Sequence, residues 1–234
     1  MVNNTKAYKI AKLAIIFATI FVAMMIDRVI GVVFTLGLAL ELSTAAVVLL
    51  VTFSFCFVEN DWFTALIAWL FFGLASFIKE FIPGFGSAVS LFPIYYRPII
   101  TIVPRLACGA IAFGVYRLML MLTTKVSNMR KRQVISMVVA IFVGDVANTA
   151  LFLSTLNIFR LITGGEYKAI VSTLSVIWAT NIIPEYLISM LIAPFVVIGV
   201  RRGLKLGIDG NNWKRAQDDA NQAEQQRLAD NTEN

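Results

Sequence analysis

The sequence predicts an all-α integral membrane protein, a bundle of six transmembrane helices with both termini cytoplasmic. Three observations carry that expectation. The chain of 234 residues is 59% hydrophobic and only 15% charged, with a mean hydropathy of +0.79, well outside the balance of a water-soluble domain. Its apolar residues fall in six long runs of the size that crosses a bilayer as a helix, roughly 17 to 25 residues, and too continuous for the alternating strands of a barrel. Lysine and arginine cluster at Lys6, Lys9 and Lys12, at Lys125 and Arg130 to Arg132, and at Arg201, Arg202 and Lys205. With six spans all three clusters lie on one side, which the positive-inside rule makes the cytoplasm.

The first span runs from Lys9 to Met25. Asp27 and Arg28 follow it with no small-residue cleavage signature, so it reads as a retained helix rather than a signal peptide. Ala7, Ala11, Ala14 and Ala18 recur at spacings of four, three and four, which places them on one stripe where another helix can approach closely. Residues 28–42, with Gly31 and Gly37, read as an apolar linker too short to span. The second span, about Ser43 to Val58, stops at Glu59, Asn60 and Asp61, and the third follows from Trp62 to Ile78 as its antiparallel partner. Pro83, Gly84 and Gly86 then open a loop that reaches Arg97.

The fourth span lies within Pro93 to Leu122 and carries Pro104 and Arg105 inside it; the fifth runs from about Val134 to Ile158 with Asp145, Asn148 and Thr149 inside. The sixth, about Ala169 to Val200, contains Asn181, Pro184, Glu185 and Pro194, and the chain leaves the membrane at Arg201 and Arg202. The transmembrane domain is thus residues 1–208, and residues 209–234 form a polar cytoplasmic tail.

An arginine near the centre of a spanning helix costs roughly 2.5 kcal/mol or more, so it faces the bundle interior and marks a ligand path or an ion pair. Arg105 lies about 10 Å down the fourth span from Arg97, while Asn148 and Asn181 sit at overlapping depth, about 15 Å from the outer ends of their helices. These residues, with Tyr95, Tyr96 and Arg97 at the mouth, outline an outward-open cavity suited to a small polar or anionic solute. The structural alternative pairs Arg105 with Asp145 or Glu185, and leaves the asparagines as bridges between helices. The chain has no histidine, which excludes an imidazole base or ligand. Cys56 and Cys108 have no metal or redox spacing and read as small core residues. No metal site and no cofactor is expected.

The run PIITIVPRLACGAIAFGVYRL, together with DVANTALF at Asp145 to Phe152, NIIPE at Asn181 to Glu185 and the alanine stripe, resembles the S components of energy-coupling factor (ECF) vitamin transporters. The proline-arginine stretch and the pair Asn148 and Thr149 are most similar to the pantothenate type. The resemblance implies a non-enzymatic binding subunit of a bacterial plasma membrane. It would take a vitamin from outside and dock through Ala7, Ala11, Ala14 and Ala18 on a transmembrane coupling subunit, which holds two ATPase subunits. Folate and riboflavin are alternative substrates within the family. The chain has no phosphate-binding glycine loop, so ATP would be hydrolysed by those partners, and nothing points to nucleic acid. A proton-coupled secondary transporter using Asp145 and Glu185 is the reading from another class, although no internal repeat relates spans one to three to spans four to six. An intramembrane acid-pair enzyme is a third, for which no nucleophile or metal motif lies nearby.

Overall fold

A computed structural model of the chain describes residues 4–35, 45–82, 89, 92–164 and 183–204. All regular structure among them is helical: α1 (Asn4–Thr35), α2 (Ala46–Val58), α3 (Trp62–Lys79), α4 (Arg97–Leu122), α5 (Met129–Ile162) and α6 (Ile183–Gly203), with a 3-10 turn at Thr123–Lys125. Five of these are long and apolar enough to cross a membrane, and α2 is the exception at 13 residues. At 1.5 Å per residue α2 extends only about 20 Å, against a hydrocarbon core of about 30 Å. The protein is therefore a helical membrane protein with five full-length spans among the described residues and one shorter apolar helix.

Cross-helix contacts fix the direction of each element. Lys12 Nζ donates to Glu59 Oε2 at 2.5 Å, so the start of α1 lies beside the end of α2. Arg117 Nη1 donates to Asn60 Oδ1 at 2.9 Å, tying the end of α4 to the α2–α3 turn. Arg132 near the start of α5 donates through Nε and Nη2 to the Leu120 carbonyl, and Arg201 at the end of α6 donates to the Val58 carbonyl. The helices thus run up and down in sequence order. The start of α1 and the end of α6 share one end of the bundle.

The core is continuous and rich in aromatics. Trp69 of α3 is fully buried and packs edge-on against Phe53 of α2 at 5.1 Å between ring centres. Phe57 meets Tyr116 at 5.0 Å, and Trp62 meets Phe113 at 4.7 Å. Such pairs favour tilted and edge-to-face geometry because the ring faces are negative and the edges positive. Helix α4 sits between α3 and α5, and two glycines let it approach both. A Cβ on Gly109 of α4 would lie 2.6 Å from the Trp69 indole of α3, and one on Gly144 of α5 would lie 3.0 Å from Ala112 Cβ of α4, as well as 2.8 Å from Phe53 of α2. Both cysteines are free and buried.

Three expectations are corrected. The linker expected over 28–42 begins as helix, because α1 continues without a break through Thr35; one glycine, Gly31, costs about 1 kcal/mol and does not end a helix inside an apolar run. Helix α5 begins at Met129 and ends at Ile162, so at 34 residues it overruns the 134–158 span at both ends. Arg201 does not leave the bundle: it is 3% exposed. It prolongs a buried stripe of Ser189, Ala193 and Val197 at a spacing of four, which is one face of a helix. The early part of the expected sixth span, with Asn181, lies outside the described residues, as does the polar tail after Leu204.

Candidate functional site

Helices α3, α4 and α5 bring Phe72, Arg105 and Phe152 together. The guanidinium carbon of Arg105 lies 4.6 Å from the centre of the Phe72 ring and 4.7 Å from that of Phe152. Two rings on two different helices therefore grip one cation. A cation over a phenyl face is attracted by the ring quadrupole, worth about 2 kcal/mol once desolvated, and this offsets much of the cost of placing the charge inside the span. The N–H donors of a guanidinium point along the edge of its plane, away from rings that lie over its faces.

Helix α5 presents its polar groups on the face that carries Phe152. Asp145, Asn148 and Phe152 follow at spacings of three and four, one above another on the helix. Asp145 is completely buried and Asn148 is 8% exposed. Asn148 stands one turn, about 6 Å, below the ring that covers Arg105. Its Oδ1 is buried and accepts no hydrogen bond among the described residues. Buried amide oxygens are nearly always satisfied, so an acceptor left open one turn from a clamped guanidinium is where a donor on a bound molecule would be received. Cys108 of α4 points toward the same region, with its Sγ 3.0 Å from the Gly144 carbonyl.

Above this group Val89 and residues 92–96, before α4, form an apolar cap. Val89, Phe92 and Ile100 are buried, and Tyr96, Phe152, Leu156 and Phe159 pack against them. Phe152 belongs to both the cap and the clamp. Arg97 is anchored in this layer: its Nε donates to the Phe92 carbonyl at 2.9 Å, and its guanidinium lies 6.0 Å from the Phe81 ring. Tyr96 packs at a tilt against Phe159 at 4.8 Å and against Tyr95 at 4.3 Å, and Tyr95 is 63% exposed.

Of the residues expected to line the cavity, Arg105 and Asn148 thus share one region. Arg97 and Tyr96 belong to the cap that covers it, and Tyr95 faces outward. Asn181 and the side chain of Glu185 lie outside the described residues. Phe72 and Phe152 are the site residues that the sequence reading missed. Phe152 had a signal in its position four residues beyond Asn148; Phe72 had none, standing in a run of apolar residues. On α6, Tyr186 donates its hydroxyl to Thr149 Oγ1 at 3.3 Å, so a fourth helix brings a hydroxyl to this side of α5.

The alanine stripe lies on the outer face of α1. Ala7, Ala11, Ala14 and Ala18 are all exposed, while Ile16, Ile20, Ala23 and Met24 on the opposite face enter the core. Among the described residues there is no group of three or more cysteine, aspartate or glutamate side chains that could hold a metal ion. No protein-family model matches the chain, and no match is found among curated proteins or solved structures.

Proposed function

We propose that the protein is the substrate-binding membrane subunit of a vitamin uptake system, an S component of the ECF type, and that it takes up a small carboxylate, pantothenate in the first instance. The observation that supports this most is the Arg105 guanidinium gripped by Phe72 and Phe152 with the open acceptor of Asn148 one turn below. A carboxylate meets the edge of the guanidinium. A hydroxyl or amide N–H of the same molecule donates to Asn148 Oδ1. Pantothenate carries all three groups, and the cap formed by Phe92, Tyr96 and Phe159 would exclude water over the bound molecule.

In this reading the end of the bundle where α1 starts and α6 ends faces the cytoplasm of a bacterial cell, as the basic clusters require, and the short α2 completes a six-helix bundle. The exposed alanine stripe is the face that meets a coupling subunit, which in turn holds two ATPase subunits; small side chains allow the close approach that joins helices in lipid. The expected experiment is uptake of labelled vitamin into vesicles with and without ATP and a coupling module. Uptake that needs both supports the reading, whereas uptake driven by a proton gradient alone indicates a secondary transporter and overturns it.

A further inference from the structure

We propose that the surface groove between the start of α5 and the end of α6 is a binding site for one anionic phospholipid. The groove has a volume of about 510 Å³ and is lined by Arg130, Lys131, Val134, Ile135, Phe195, Ile198, Gly199 and Arg202, within the range of ligand pockets, roughly 300–1,000 Å³. Its composition is sharply divided. The three cations stand where α5 begins and α6 ends, and all three are exposed. Every other lining residue is apolar, and Phe195 and Ile135 are 69% and 44% exposed. Phe195 lies seven residues before Arg202, so the apolar floor descends about 10 Å from the level of the cations toward the middle of the bundle.

That division matches the two halves of a lipid. The acyl chain lies along Val134, Ile135, Phe195 and Ile198, and the phosphate sits among Arg130, Lys131 and Arg202, as basic pockets between spanning helices hold anionic headgroups. A positive charge in the first turn of a helix is opposed by the helix dipole, and α5 carries three there, Arg130, Lys131 and Arg132, with no acidic residue in that turn. A phosphate relieves both the dipole and the clustered cations. The backbone N–H groups of Arg130 and Lys131 are already accepted by Asn128 Oδ1, at 3.0 and 3.3 Å, so the side chains hold the anion. A free phosphate ion would leave the floor uncovered, which is why a lipid is the better occupant. The proposal does not depend on which vitamin, if any, the protein binds.

The test is native mass spectrometry of the purified full chain after exchange into phosphatidylglycerol or into phosphatidylcholine of the same acyl composition. At about five-fold per basic side chain near the headgroup level, three together favour the anionic lipid by about a hundred-fold. One phosphatidylglycerol should stay bound under conditions that strip phosphatidylcholine. Arg130→Gln/Lys131→Gln/Arg202→Gln should abolish the preference. Gly199→Leu is the second variant: a Cβ there meets nothing within 4 Å, so the side chain can start into the groove, and it should lower retention of lipid while keeping every charge. Retention of the preference in the triple variant overturns the proposal. So does unchanged retention in Gly199→Leu, or displacement of the lipid by inorganic phosphate alone or by an acidic peptide.

Discussion

Asp27 and Arg201 hold the two ends of the same short helix. The Asp27 carboxylate, on α1, accepts the backbone N–H groups of Val47 and Val48 at 2.9 and 2.6 Å, at the start of α2. The Arg201 guanidinium, on α6, donates to the carbonyls of Phe57 and Val58 at 2.5 and 3.0 Å at its end, and also to Gln133 Oε1 at 3.1 Å. A helix of 13 residues ends inside the bundle, where its terminal backbone groups meet little water and must find partners in protein. A carboxylate at the positive end and a guanidinium at the negative end supply them with the sign the helix dipole favours.

Removing either cap should therefore cost more than removing a surface charge. Arg201→Ala leaves at least two carbonyls unsatisfied, at about 1–3 kcal/mol each, and should lower the thermal midpoint in detergent by roughly 5–15 °C. Asp27→Ala should do the same from the other end, and Asp27→Asn, which keeps one acceptor, should lose less. The neighbouring Arg202→Ala, on the exposed side of α6, should change the midpoint little, since surface substitutions stay within about 0.5 kcal/mol. Equal losses at 201 and 202 would contradict the capping role.

The close approach of α4 to its neighbours predicts a contrast among glycines. Gly144→Ala puts a methyl group 2.8 Å from Phe53 and 3.0 Å from Ala112 Cβ, and overpacking of this kind costs about 1–3 kcal/mol. Gly199→Ala, on the open side of α6, should be neutral. Thermal unfolding of the two variants side by side checks this.

Much of the fold was legible because the signals are local. Hydropathy starts α3 at Trp62 and ends α4 at Leu122, where both are observed, whereas it starts α5 at Val134, five residues after the helix begins behind its cap Asn128. The caps on α2 were not legible, because their partners are 20 residues away for Asp27 and 144 for Arg201. An arginine at the end of an apolar run looks like a topological signal whether it faces water or the core. Only the spacing of four from Ser189 through Ala193 and Val197 hinted that Arg201 turns inward. Arg105 stood out as a charge in an apolar span, but of the rings that grip it only Phe152 had a mark, its place four residues beyond Asn148, while Phe72 stood in a run of apolar residues.

The exposed alanine stripe predicts a separation of folding from assembly. Ala14→Leu/Ala18→Leu adds bulk on the outer face of α1, where both alanines are exposed, so the fold and ligand binding should be unchanged. Co-purification with a coupling module should be lost. Normal co-purification of the double variant would remove the docking role from this face.

Orientation can be read by labelling, because both native cysteines are buried and give little background. Asn128→Cys, in the basic turn before α5, should react with an impermeant maleimide only after the cell is opened. Thr163→Cys, exposed at the other end of α5, should react from outside. The reverse pattern would invert the topology and place Arg105 nearer the cytoplasm.

The clamp predicts that the rings matter to binding through the arginine. Phe152→Ala and Phe72→Ala should each weaken ligand binding by about ten-fold, the equivalent of a cation–π contact of 1 to 2 kcal/mol, and Phe152→Leu should not rescue it because volume without a ring face does not hold the cation.

The most direct test is equilibrium binding of a panel of labelled vitamins to the purified chain and to its Arg105 variants. Pantothenate should bind. Arg105→Ala should weaken it about ten-fold to a hundred-fold, the worth of one charge-assisted hydrogen bond, and Arg105→Lys should restore only part, because the planar fork is lost. Tight binding of a neutral or cationic vitamin with no binding of pantothenate, and no effect of Arg105→Ala, would contradict the account.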